Sequence, residues 1–341
     1  MSAMFKKTVL LLALAGVSLT TLAAELRVMT HSSFSLPKER IAEFEKQSGA
    51  KLAIIKGGDA GEMLNKLILT RANPVADVVY GIDNTLIGKA NAAGVLEATS
   101  SKVGRNVAAA SLPGAVAIDY GYVTLNIDKA WFAGSKLPLP ATLDDLTKPA
   151  YKDLLVVENP ATSSPGLAFL LATIAGKGEE GAFQWWGKLR DNGLKVTKGW
   201  SEAYYTDFTR NGGARPIVVS YATSPAAEVF YSKEKLAESP TANLLLKGGV
   251  FMQVEGVARV KGGLQPQLAQ QFVDFLRGEA VQKDLQTSMW MYPAVAGVAL
   301  APVFKHAAQP ASFSNPDLKA MQHKTAAWVS RWTRLVIKNA P

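Results

Sequence analysis

From residue 26 onward, short apolar runs take turns with helical stripes along the chain. Leu26 to Thr30 reads as a strand, and Pro37 to Gln47 as a helix with Ile41 and Phe44 on one face and charges elsewhere. Leu52 to Ile55 is a second strand, Met63 to Leu69 a helix with Met63, Leu64 and Leu67 as its stripe, and Ala76 to Tyr80 a third strand. This βαβαβ order predicts a parallel sheet with helices on both faces. A second set follows. Leu154 to Val157 and Ile217 to Ser220 are strands, with helices opening at Pro165 and Pro225. Ile118 to Ile127 and Val250 to Val257 are long extended segments, read as two crossings between two lobes. Pro316 to Lys338 reads as a terminal helix carrying Leu318, Met321, Trp328 and Trp332.

The first residues change the picture of where this fold works. Lys6 and Lys7 precede an apolar run, Val9 to Val17, which ends in small residues up to Ala23-Ala24. That is the pattern of a secretory signal peptide. The run is shorter than the roughly 20 apolar residues of a membrane-spanning helix. The expectation is export to the periplasm, without a lipid anchor, since no Cys follows. The 341 residues are 48% hydrophobic and 19% charged, a composition that suits two packed lobes. With no Cys in the chain, neither disulfides nor thiolate metal sites are available. The formal charge of +9 comes from scattered Lys and Arg with no basic run, so nucleic acid is not expected as a partner.

Ligands of open α/β sheets sit beyond the carboxyl ends of the strands, which directs attention to the loops there. Thr162-Ser163-Ser164-Pro165-Gly166 and Tyr221-Ala222-Thr223-Ser224-Pro225 each follow a strand and open a helix. A Ser before Pro is expected at the N-cap with Pro at the first helical position, leaving N–H groups that attract anions. Plain helix capping explains either loop alone. Gly57-Gly58-Asp59-Ala60-Gly61 and Asp83 supply acids. Trp200, Tyr221 and Trp290 supply rings whose faces attract cations. Catalytic signatures are scarce. The three His residues are not at metal-ligand spacing, and there is no nucleophile elbow or phosphate-binding loop. Gly176-Lys177-Gly178-Glu179-Glu180-Gly181 fits a dinucleotide string, but it follows a helix and carries two acids, so it reads as a connector. No enzyme activity, cofactor or metal is expected.

The segments Asp77 to Asn84, Lys198 to Tyr204, Ser220 to Pro225 and Trp290 to Pro293 together resemble the periplasmic thiamine-binding proteins, the solute-binding components of ABC importers. The resemblance runs from Leu26 to Trp332. It implies an α/β, two-lobed, type II periplasmic-binding-protein fold with a hinged cleft. On that reading residues 1–24 are the signal peptide, 25–118 with about 255–300 form one lobe, and 119–254 with about 301–341 the other. The implied ligand is thiamine, thiamine monophosphate or thiamine diphosphate, delivered by a monomer to a permease of the inner membrane. The implied contacts are His31, Asp59, Ala60, Ser163, Ser164, Trp200, Tyr221, Ala222, Thr223, Ser224 and Trp290. Two positions depart from the family pattern: Ala60 stands where Gly is expected, and His31 where Tyr is expected. The competing reading is a ferric-ion-binding protein of the same fold, which would use Tyr204, Tyr205 and His31.

Overall fold

The computed structural model describes residues 23–107 and 112–339, so all but the last two residues of the expected signal peptide lie outside it. In chain order the first half comprises β1 (Glu25–Thr30), α1 (Lys38–Ser48), β2 (Lys51–Lys56), α2 (Ala60–Leu69), β3 (Val78–Asp83), α3 (Ile87–Ala92), β4 (Val116–Asp128) and α4 (Lys129–Ser135). Next come β5 (Leu155–Glu158), α5 (Ser164–Lys177), α6 (Glu179–Asp191), β6 (Lys195–Thr197), α7 (Trp200–Glu202), β7 (Ile217–Tyr221), α8 (Ser224–Tyr231) and β8 (Thr241–Leu244). The chain closes with β9 (Phe251–Arg259), α9 (Pro266–Leu276), α10 (Glu279–Ser288), β10 (Tyr292–Pro293) and α11 (Leu318–Trp332).

Local chemistry explains the helix limits. Glu39 and Lys46 complement the dipole of α1, which stops at Gly49 in the left-handed region with its N–H on the Glu45 carbonyl. Asp59 caps α2 by accepting from the Ala60 N–H. Pro165, Pro225 and Pro266 sit in first turns, where a missing N–H costs nothing.

The strands form one mixed sheet in the order β2-β1-β3-β9-β4-β7-β5-β6, with β8 and β10 also pairing β4. β1 is parallel to β2 and β3, and β5 is parallel to β6 and β7. The parallel order expected from the βαβαβ pattern holds for β1, β2 and β3, while the centre of the sheet is antiparallel. β9 runs antiparallel to both β3 and β4, and β4 runs antiparallel to β7. The reason is topological. Both segments expected as crossings are long strands, and they pair with each other from Val116 to Val123, so the chain returns between the halves as a ribbon. The dinucleotide-like string is the connection from α5 to α6, as read from its setting.

Among the described residues three apolar clusters pack on this sheet, the smallest being Val156, Ala203, Tyr204, Phe208 and Val218 with Trp200 against it. Leu26, Val28, Phe44, Val78, Ile118, Val257 and Phe272 pack together under α1 and α9. The largest runs from Met63 and Leu64 to Trp185, Trp186 and Trp332, the last two meeting edge-to-face at 5.5 Å. The terminal helix was expected over Pro316 to Lys338. It spans Leu318–Trp332 and continues as a π-helical stretch, Thr333–Ile337.

One buried polar residue ties the first half together. Asp77, 1% exposed, accepts from Arg27 Nε (3.0 Å), Arg27 Nη2 (2.9 Å), the Arg27 N–H (2.9 Å) and the Leu264 N–H (2.6 Å). Burial works against its charge, but the bonds from Arg27 and the backbone outweigh it and lower its pKa. Its stabilisation is in place at neutral pH and fades as acid titrates the carboxylate. Asp77→Ala leaves these donors unpaired and is expected to cost about 3 kcal/mol, read from urea unfolding at pH 7.

Candidate functional site

The carboxyl ends of five strands converge on one cavity. β1 leads into His31 and β2 into Asp59, while β3 ends at Asp83, which is not a lining residue. From the other half, β5 leads to Ser164, β6 to Trp200, and β7 ends at Tyr221. The cavity holds about 490 Å³, and His31, Asp59, Ser164, Trp200, Tyr221, Thr223, Ser224 and Trp290 all line it. Of the remaining expected contacts, Ala60, Ser163 and Ala222 are buried and are not lining residues. The Ser163 hydroxyl has no partner among the described residues.

The rings form two groups. Trp200 stacks on Tyr204 at 5.2 Å and 21°, and meets Tyr205 and Tyr221 edge-on at 5.4 and 6.4 Å. Its indole N–H donates to Ser220 Oγ (2.8 Å), which pairs with Ser224 Oγ (2.8 Å). This chain fixes the ring plane. Across the cavity, Trp290 meets Tyr231 at 5.5 Å and lies parallel to Phe304 at 6.2 Å. Trp290 adopts a φ of +58°, a strained value for a bulky residue. The Thr223 hydroxyl donates to its carbonyl at 2.6 Å and holds it there.

The Ser-Pro loops start their helices one residue earlier than expected. Ser163 and Thr223 are the N-caps, without side-chain capping bonds, while Ser164 and Ser224 are the first helical residues. The hydroxyls are occupied elsewhere: Thr223 on Trp290, Ser224 on Ser220, and Ser164 as acceptor from Gln253 at 3.1 Å.

The two halves touch around the cavity. Asp59 Oδ2 accepts from the Trp200 N–H at 3.1 Å, and Lys198 pairs with Glu62 at 2.8 Å. The Glu62 N–H donates to the Thr162 carbonyl at 3.2 Å. Two glycines permit this approach. A Cβ on Gly61 would fall 2.7 Å from the Thr162 oxygen, and one on Gly199 would fall 2.8 Å from Asp59 Oδ2.

The electrostatics are one-sided. Asp59, Glu228 and Glu255 line the cavity, and among the described residues no Lys or Arg does. More acids lie behind. Burial pushes Glu158 well above the usual carboxylate range, with the charge of Asp59 adding, and neither of its oxygens has a partner among the described residues. Burial, reinforced by Glu255, does the same to Asp119, on which the Tyr80 hydroxyl donates. Burial also raises Tyr221, followed by the charges of Glu255, Asp59, Asp83 and Glu158. Such a cavity favours a flat cation: faces for its rings, carboxylates for its charge, and no competing ammonium.

Glu255, Glu228 and Tyr231 are lining residues that sequence reasoning passed over. Signals existed for each. Glu255 is a lone charge inside the apolar run Val250 to Val257. Ser224, Ala227, Glu228 and Tyr231 share a face of α8 at spacings of three and four.

Comparison with known proteins followed the same lines. The family model described as bacterial extracellular solute-binding protein matches residues 73–324. The thiamine-binding periplasmic protein of Escherichia coli K12 is 35% identical over 303 residues, covering 86% of each chain. The solved structure of a periplasmic thiamin binding protein superposes with a TM-score of 0.81 at 31% identity, covering 93% of this chain and 98% of that one. A ferric binding protein from Campylobacter jejuni superposes at 0.73 with 20% identity, covering 91% and 99%, a likeness of fold alone.

Asp83 offers a test of the acidic surroundings. Burial raises its pKa to about 6, with Glu255 adding, against hydrogen bonds from Thr85 and Gln253. A raised carboxylate pKa favours the folded state at low pH, so this contribution is lost as pH climbs from the ordinary Asp range through about 6. Asp83→Asn keeps the carbonyl that Thr85 and Leu86 bond, and its amide replaces the oxygen that accepts from Gln253 Nε2, so the Gln253 amide must turn over to present its Oε1, which has no partner among the described residues. Urea unfolding at pH 5 and pH 8 is expected to show the variant gaining about 1.5 kcal/mol relative to the parent at the higher pH.

Proposed function

Because the chain belongs to the bacterial extracellular solute-binding protein family, we propose that it captures thiamine, free or as its mono- or diphosphate, for an ABC importer. The observation that carries this reading is the shared cavity of Trp200, Tyr221 and Trp290 with Asp59 and Glu255, empty of Lys and Arg. Thiamine is a flat organic cation with two rings. Each aromatic face contributes about 0.5–2 kcal/mol to a cation. Nanomolar affinity corresponds to about 12 kcal/mol, so burial of both rings must supply much of it. The names of the relatives support this ligand, and the cavity's chemistry suits it.

The roles divide as follows. Trp200 and Trp290 flank the rings. Asp59 and Glu255 face the positive charge. The helix starts at Ser164 and Ser224 face the polar tail or its phosphate. Asp59 also couples capture to closure, since it bonds the Trp200 N–H from the opposite half. The ligand stabilises the closed arrangement by the contacts that exist only there. The protein works in the periplasm as a monomer, hands its ligand to the membrane permease, and performs no chemistry on it.

The ferric alternative requires phenolate from Tyr204 and Tyr205 beside His31. Both tyrosines line the cavity. Yet burial, followed by the charge of Glu228, raises Tyr204 well above its ordinary value, and its hydroxyl donates to Glu228 Oε1 at 2.8 Å. That arrangement resists the deprotonation on which ferric binding depends.

Calorimetry with thiamine, its two phosphates and ferric citrate separates the readings. Thiamine or a phosphate ester is expected to bind and quench Trp fluorescence saturably, and ferric citrate to give no visible absorption band. Trp200→Ala is expected to weaken binding about tenfold or more, as befits a central aromatic contact, while unfolding stays cooperative. An unchanged dissociation constant removes Trp200 from the site.

A further inference from the structure

Resting on the reading above, we propose that His31 and Glu255 make capture proton-coupled: the arriving organic cation takes over Glu255, and His31 gives up its proton. His31 stands at the end of β1 in the cavity wall, 8% exposed, and Glu255 on β9 is 5% exposed. Its Nε2 lies 3.4 Å from Glu255 Oε1, close enough for ion pairing but without an aligned hydrogen bond. The ring is held by packing instead. Tyr80 lies 6.0 Å away, tilted by 37°, and Gly81 has a φ of +101° where any Cβ would run into the imidazole.

The groups facing His31 come from every neighbouring element. β9 offers Glu255, the loop before α2 offers Asp59, and β3 offers the Tyr80 ring. β2 offers Lys56, whose ammonium is turned to the Phe34 carbonyl. Beyond Glu255 lie Asp83 and Asp119, which feel its charge. With no Lys or Arg lining the cavity, His31 is the cation nearest to Glu255 there.

Two cations cannot share one carboxylate cheaply at low dielectric. A thiazolium carries a fixed charge on a quaternary nitrogen. An imidazolium can shed its charge as a proton. The imidazole therefore yields. Burial alone would lower the His31 pKa, but Glu255 and then Asp59 outweigh it and raise the value above the ordinary one, which favours the proton in the empty site. Binding of the cation and of the proton are then antagonistic, and affinity rises with pH.

The test is titration of the mature wild-type protein, His31→Gln and Glu255→Gln with thiamine hydrochloride from pH 5.5 to 8, in buffers of different ionisation enthalpy. Wild-type affinity is expected to rise about tenfold across this range, with up to about one proton released per thiamine bound. His31→Gln is expected to bind with no such slope and no linked proton release, and to exceed the wild type at pH 5.5. Glu255→Gln is expected to weaken binding at pH 8. Proton NMR of the wild-type imidazoles, which needs no folded variant, is expected to show one His protonated in the free protein and neutral when saturated at pH 6. Binding that is flat with pH, or a slope that persists in His31→Gln, overturns the coupling alone. Absence of thiamine binding at every pH overturns the ligand and the coupling together.

Discussion

Negative charge withdrawn from water, with no lysine or arginine to answer it inside the cavity, is the constraint around which this protein is organised. Asp59, Glu228 and Glu255 line the hollow, and Asp83, Asp119 and Glu158 stand behind. Burial raises Asp83, Asp119 and Glu158, with the charge of Glu255 adding at Asp83 and Asp119 and that of Asp59 at Glu158. The molecule answers by a raised pKa at Glu158 and Asp119, by the hydrogen bonds of Thr85 and Gln253 at Asp83, and by the His31 imidazole beside Glu255. On the proposed reading, a cationic guest would relieve part of this cost, and stability given up by the empty fold would reappear as affinity.

Around that charge the aromatic residues are held with little freedom. Trp200 is fixed at both ends, its backbone N–H on Asp59 and its indole N–H on Ser220. Trp290 is fixed by a strained backbone and by the Thr223 hydroxyl. Strain of this kind persists where the surroundings over-determine it, and such places cluster at binding sites. Gly61 and Gly199 perform the complementary task, as absences of side chain that let the two halves meet.

Much of this was legible in the chain. Strand and helix positions, the strand-end loops, the two long crossing segments and eight of the cavity's lining residues follow from local pattern and resemblance. The antiparallel β9 at the centre does not, because strand order is decided by tertiary pairing that periodicity cannot report. The one-residue shift at Ser164 and Ser224 also escapes sequence, since Ser and Pro fit both the cap and the first turn. Glu255 was missed for a different reason. A carboxylate in a buried strand makes sense only once the acids and the imidazole around it are located in space.

The ribbon of β4 and β9 has a mechanical consequence. Both halves of the sheet hang from one hydrogen-bonded ladder, Val123 to Ile127 of β4 serving β7 while Glu255 to Arg259 of β9 serve β3. Widening the mouth of the hollow therefore flexes a leaf spring; it does not swivel a slack linker. A bend spread over the twist of two paired strands would ask little of any one residue and would favour return to the same alignment.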